Sequence, residues 1–150
     1  MDTATKTRTS DEAQIRGLMD TWAKALHAKD VDRIMSVYMP DARVFDLAPP
    51  LERKGAAAHR KNFEEWFRTF RGPVGSDMRD VDIVAGDDVA FCHGLNRISG
   101  TRTSGEDTSV WVRVTVGFRK TGGAWKVTHE HVSVPFYMDG SIKAAVDLTP

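Results

Sequence analysis

Residues Trp125 to Ser133 read W-K-V-T-H-E-H-V-S, held between Gly122-Gly123 and Pro135. A run of β-branched and aromatic residues after a Gly-Gly turn and before a proline predicts a strand. Successive strand side chains point to opposite faces, so Trp125, Val127, His129, His131 and Ser133 fall on one face. Lys126, Thr128, Glu130 and Val132 fall on the other, which is mostly polar and reads as solvated. The first face begins apolar and ends in two imidazoles and a hydroxyl. That is the pattern of a strand lining a pocket, with two imidazoles near enough to share a ligand.

Outward from this stretch, Val110–Lys120 alternates Val110, Val112, Val114, Val116 and Phe118 against Trp111, Arg113, Thr115, Gly117 and Arg119. Thr121-Gly122-Gly123 makes the hairpin turn between the two strands. Pairing Lys120 near Ala124 sets Arg113 opposite His131, Thr115 opposite His129 and Trp111 opposite Ser133, which puts all of them on the pocket face. Val110 to Val116 then form a second apolar face. Cover for that face predicts a homodimer, with helices on one side of the sheet and a partner subunit on the other. Two earlier strands, Asp80–Ala85 and Val89–Ser99, are joined by Gly86-Asp87-Asp88, and a polar loop over Gly100–Asp107 leads into Val110.

Helices precede the strands. Residues 1–10 read as a loose tail; Ser10 caps a first helix whose apolar stripe is Ile15, Leu18, Met19, Trp22, Ala25 and Leu26. Asp30 caps a short second helix with Val31, Ile34, Met35, Val37 and Tyr38 facing inward, ended by Pro40. Arg43-Val44-Phe45-Asp46 reads as a short strand stopped by Ala48-Pro49-Pro50. A third helix after Gly55 carries Ala58, Phe63, Trp66, Phe67 and Phe70, and Arg71-Gly72-Pro73 closes it. Helices followed by consecutive strands predict an α+β domain over residues 11–136, a curved antiparallel sheet packed on three N-terminal helices, with residues 137–150 as a C-terminal tail.

Bulk properties narrow the function classes. The 150 residues hold 21 Lys plus Arg and 21 Asp plus Glu, so no net field recruits nucleic acid or an anionic membrane. No apolar run is long enough to span a bilayer, and no secretory signal precedes the first helix. The single cysteine, Cys92, excludes an intramolecular disulfide, and a cytoplasmic location is expected. Walker, Rossmann and nucleophile-elbow motifs are absent.

The candidate site residues each carry two readings. An enclosed Arg113 needs a partner, either Asp46, Glu130 or an anionic ligand; at a sheet edge it needs only its own stem. His129 and His131 read equally as rim histidines or as functional ones. Asp46, between an apolar strand and Pro49-Pro50, is a turn-forming acid or a general base at a pocket mouth. Trp66, Phe63 and Phe67 serve a core or a ligand wall. A zinc site would need more ligands than His27, His59 and His93 offer, and adjacent Cys92 and His93 point to opposite faces. No metal and no cofactor is expected.

From about Asp11 to Phe136 the chain resembles the nuclear-transport-factor-2-like superfamily, in its SnoaL-like and ketosteroid-isomerase-like branch. The resemblance is carried by the first amphipathic helix, by H-A-K-D-V-D-R-I-M-S-V-Y-M-P-D-A-R-V-F-D from His27 to Asp46, by W-V-R-V-T, and by G-A-W-K-V-T-H-E-H-V-S-V-P-F. It implies a cone-shaped, cystatin-like α+β fold around a pocket, commonly dimeric. It also implies that Asp46 occupies the position of the general base of ketosteroid isomerases. The tyrosine and aspartate of their oxyanion hole are not kept: the first-helix position resembles Trp22, and the late strand offers Arg113 and Thr115 with no acid. SnoaL-like polyketide cyclases likewise use a pocket acid to deprotonate carbon. The H-E-H-x-S strand with W-x-R-x-T also resembles the association domain of calcium/calmodulin-dependent kinase II, which would make Arg97 and Arg113 a pocket pair in an oligomerisation domain.

Two functions follow as expectations. In the first, Asp46, His129 and His131 are catalytic, and Tyr38, Trp66, Arg97, Trp111, Arg113 and Ser133 bind a small cyclic ketone or anion. Asp46 then abstracts a proton next to a carbonyl, and Arg113 or the histidines hold the enolate. In the second, an Arg113–His131 pocket holds an anion without chemistry, and Asp46 is paired to an arginine or faces solvent.

Overall fold

The computed structural model describes residues 3–150. Helix α1 spans Thr3–Ala28. It passes through Ser10 instead of starting there, so the described part of the expected tail is helical, with residues 5–10 exposed. Thr7 and Thr9 donate to the carbonyls of Thr3 and Thr5 at 2.9 and 3.0 Å, which satisfies their hydroxyls inside the helix. Residues 1 and 2 of that tail lie outside the described residues. The apolar stripe of α1 divides its work: Ile15, Ala25 and Leu26 are buried in the core, while Leu18, Met19 and Trp22 face a cavity. Asp11 fixes the start of the body, since its Oδ1 accepts from Trp125 Nε1 and from Lys120 Nζ, both at 2.9 Å.

Helix α2 is Val31–Met35, capped by Asp30, which accepts from the Arg33 amide. It is shorter than the sequence predicts. Tyr38 already belongs to strand β1, Tyr38–Phe45, and Pro40 sits inside that strand. The proline falls where pairing to the next strand lapses, between Tyr38 and Arg43, so its missing N–H removes no ladder bond. Strand β2 is Arg53–Lys54 and helix α3 is Ala56–Phe67. Strands β3 (Phe70–Ala85), β4 (Val89–Arg102), β5 (Asp107–Thr121) and β6 (Ala124–Ser133) complete the sheet. Arg71-Gly72-Pro73, read as a stop, lies inside β3 at an irregularity between Arg71 and Val74.

The six strands run in the order β2-β1-β6-β5-β4-β3 in a curved, unclosed sheet. The β1–β6 pair is parallel and the others are antiparallel. The three helices cover the concave side, where Phe63, Phe67, Phe70, Val74, Phe118, Trp125 and Val127 build the core with α1 and Ile34.

One irregularity decides which residues face that side. At the turn Thr121 pairs with Ala124, and Phe118 with Val127, but Gly117 pairs with His129. Thr128 is therefore an extra residue on β6, a bulge that flips the alternation beyond it. Before the bulge Trp125 and Val127 point into the core, and after it Glu130 and Val132 do. His129, His131 and Ser133 consequently share the outer, convex face with Thr115 and Arg113, their partners or neighbours on β5. The expected grouping of these residues holds; the side of the sheet is reversed. Val110, Val112, Val114 and Val116 face the helices, and no partner subunit is needed to cover them.

After Ser133 the chain turns back on itself. Phe136 bridges to Ala144, Tyr137 N–H donates to Lys143 O, and Ala145 N–H donates to Pro135 O, the last two at 2.8 Å. Ala145 is buried.

Candidate functional site

Between α1, α3 and the concave sheet lies a cavity of about 430 Å³. Its wall is apolar over most of its extent: the β5 valines, Leu18, Met19, Phe63, Trp66, Phe70, Met78 and Ile98. Ala144 and Val146 of the C-terminal turn also reach it. Polar groups are few and grouped. Tyr38, His59 and Glu130 form one cluster, Asp46 and Asn62 a second, Ser76 and Asn96 a third, and Arg102 and Thr108 lie beyond Asn96 on β4 and β5.

The first cluster comes from three elements. Tyr38 opens β1, Glu130 follows the bulge on β6, and His59 lies one helical turn before Phe63 on the aromatic stripe of α3. Tyr38 Oη donates to Glu130 Oε2 at 2.7 Å. His59 Nε2 is 3.6 Å from the same oxygen, too long for a hydrogen bond and within ion-pair distance. Burial alone would push the Glu130 carboxyl up; the pull of His59 and the Tyr38 hydroxyl outweighs it and holds the pKa below the usual carboxylate value. The Tyr38 phenol is pushed well above its ordinary value, first by burial and then by the adjacent Glu130 charge. Neither ring nitrogen of His59 has a hydrogen-bond partner, and neither does Trp22 Nε1, although all three atoms are buried. A buried donor without a partner costs roughly 1–3 kcal/mol, so these atoms are groups that a ligand oxygen would satisfy.

The second cluster lies nearer solvent. Asp46 follows β1 directly. Its Oδ1 accepts from the Leu47 amide at 2.7 Å, and its Oδ2 accepts from Arg53 Nη1 at 2.8 Å and Asn62 Nδ2 at 3.1 Å. Arg53 is itself buried and also donates to Pro49 O. Asn62 stands one turn after His59, so α3 joins the two clusters in one polar strip. Charge-assisted bonds of this kind fix the carboxylate in place.

The cavity thus brings together Tyr38, Asp46 and Trp66 from the residues expected in the site. Arg97, Trp111, Arg113, His129, His131 and Ser133 lie on the outer face instead, because of the bulge at Thr128 and the outward side of β4 and β5. There Trp111 is flanked by the guanidiniums of Arg79 and Arg97, at 5.0 and 5.9 Å from its ring centre. Arg97 is 3.4 Å from Asp77, and Arg113 Nε donates to Ser133 Oγ at 3.1 Å. His129 Nδ1 is 2.8 Å from Arg43 O, and both β6 histidines pack edge-on to Phe45. Arg113 is exposed, which removes its need for a buried partner.

Glu130, His59, Asn62, Ser76 and Asn96 are polar cavity residues that sequence reading did not assign to the site. His59 had a signal, being spaced by four from Phe63 and by eight from Phe67 on the stripe that faces inward. Glu130 had none, since its side of β6 depends on the bulge.

The SnoaL-like domain family matches residues 15–137. The comparison with curated proteins gives no match. Among solved structures, an NTF2-like protein of unknown function from Pseudomonas putida is 34% identical with a TM-score of 0.86, over 95% of this chain and 98% of that one. A candidate scytalone dehydratase from Novosphingobium aromaticivorans is 19% identical with a TM-score of 0.80, over 94% and 95% of the two chains. A candidate calcium/calmodulin dependent protein kinase II association domain from Xanthomonas campestris is 22% identical with a TM-score of 0.70, over 79% and 84%. The chain belongs to the SnoaL-like domain family of the nuclear-transport-factor-2-like superfamily.

Proposed function

We propose that the protein is an acid–base enzyme for a small, largely apolar cyclic ligand, removing a proton from carbon next to a carbonyl. In this reading Asp46 is the base, and the carbonyl oxygen lies against the Tyr38–His59–Glu130 cluster, where His59 and Trp22 donate to the developing enolate. The observation that carries it is the His59 ring, buried in the cavity beside a buried carboxylate with neither nitrogen hydrogen-bonded. The roles expected of Arg113, His129 and His131 pass to these interior donors. The chemistry is of the isomerase, cyclase or lyase type. The proposal keeps the chain as a homodimer, paired through the outer sheet face where Phe45, Val84 and Phe91 are exposed.

A second reading, ligand binding without chemistry, is favoured by one observation. Both Asp46 oxygens already accept hydrogen bonds, one of them from Arg53. With Asn62 also bonded, only one lone pair, on Oδ1, is left to take a proton.

Deuterium exchange separates the two. With 2-tetralone in D2O, proton NMR follows loss of the α-proton signals. The enzyme reading expects the wild type to accelerate exchange, and Asp46→Asn to lose that acceleration while still binding the ketone. Exchange no faster than in buffer, although the ketone binds, or equal rates in wild type and Asp46→Asn, would defeat it and leave the binding reading.

A further inference from the structure

We infer that Asn96, steadied by Ser76, is a second recognition point in the cavity, so that its ligand is an elongated cyclic molecule with an oxygen at each end. The inference rests on the reading of the cavity as a ligand site.

Asn96 lies on β4 with its side chain on the concave face, and it is only 3% exposed. An asparagine amide offers two donors and an acceptor. Among the described residues Asn96 makes a single side-chain hydrogen bond, accepting from Ser76 Oγ at 2.9 Å. That bond fixes the amide plane at the wall of the cavity, which both residues line. The remaining amide donors are free to meet an acceptor in the cavity.

The position of Asn96 sets the length of that something. Glu130 pairs with Val116, Val116 pairs with Cys92, and Asn96 is four residues beyond Cys92 on the same strand. Asn96 is thus two strands across and four residues along from Glu130, about 10 Å and about 13 Å at the backbone. Val112, Val114 and Val116 occupy the wall between and offer no polar atom. One oxygen atom cannot touch both poles. A rigid two-ring diol, with oxygens about 10 Å apart and a hydrogen bond of about 2.8 Å at each end, spans such a gap. A ligand with only one oxygen leaves one pole unpaired, and a site built with polar groups rejects an analogue that lacks their partner.

Calorimetric titration of the full chain with 4,4′-dihydroxybiphenyl and 4-hydroxybiphenyl tests this. The wild type is expected to bind the diol about tenfold tighter, although the added hydroxyl makes it less hydrophobic. Asn96→Leu is expected to bring the ratio to about one while 4-hydroxybiphenyl keeps its affinity within about threefold. Ser76→Ala, which releases the amide without changing it, is expected to give an intermediate ratio and serves where Asn96→Leu does not fold by circular dichroism. A wild-type ratio near one, or a preference that survives in folded Asn96→Leu or is unchanged in Ser76→Ala, overturns the inference. Binding of neither compound overturns the cavity reading beneath it, and is told apart because the single-hydroxyl probe fails as well.

Discussion

Tyr38 Oη donates a hydrogen bond to Glu130 across two parallel neighbouring strands, at 2.7 Å and with both residues buried. Removing that proton donor leaves a buried carboxylate with His59 alone. Tyr38→Phe is therefore expected to lower stability by about 1.5–3 kcal/mol, the range for a hydrogen bond to a charged group, measured by urea denaturation at neutral pH. A change below a few tenths would mean that the pair contributes little.

Glu130 also predicts the acid limb of stability. Its folded pKa lies below the ordinary value, so its contribution is complete above the unfolded carboxylate pKa and is lost as pH falls through the folded one. Asp11 behaves in the same way, held low by hydrogen bonds from Trp125 and then Lys120. Melting temperature in the wild type is expected to fall below about pH 4.5, and less steeply in Glu130→Gln. Parallel curves for the two proteins would contradict the assignment.

The two faces of the sheet are separable by mutation. Arg113→Ala and His131→Ala lie outside, and each is expected to change stability by no more than about 0.5 kcal/mol and to leave 2-tetralone affinity unchanged. Val114→Phe fills the cavity from within and is expected to weaken the same ketone by about tenfold or more, with the fold kept. Loss of binding in Arg113→Ala would return the site to the outer face.

Cys92 is fully buried on β4, and burial pushes its thiol up to about 11. The thiolate needed for disulfide exchange is then scarce and inaccessible. Labelling with Ellman's reagent at neutral pH is expected to be slow in the native protein and complete within the mixing time in denaturant. Rapid native labelling would show that β4 opens readily.

The element types were legible in the sequence because their signals are local and periodic. The α1 stripe, the α3 aromatics and the Val110–Phe118 alternation are where they were expected, and Asp46, Tyr38 and Trp66 do line the cavity. What was not legible is which side of β6 faces inward beyond Thr128. Strand alternation carries no memory across a bulge, and nothing in V-T-H-E-H marks one extra residue between Val127 and His129. The hydrophobic test that usually fixes register failed here for a physical reason. The cavity side of β6 holds a carboxylate, and the outer side holds imidazoles packed on Phe45, so polarity pointed the wrong way.

The turn formed by Pro135–Val146 bears on how the protein is handled at the bench. Ala144 and Val146 reach the cavity wall, and Ala145 is buried just before the last few residues. An affinity tag or fluorescent fusion joined after Pro150 would emerge a few residues from the cavity wall, whereas one joined ahead of α1 would extend from exposed helical turns. Ligand screens are better built on the amino-terminal attachment, since a carboxy-terminal one places foreign peptide beside the cavity under test.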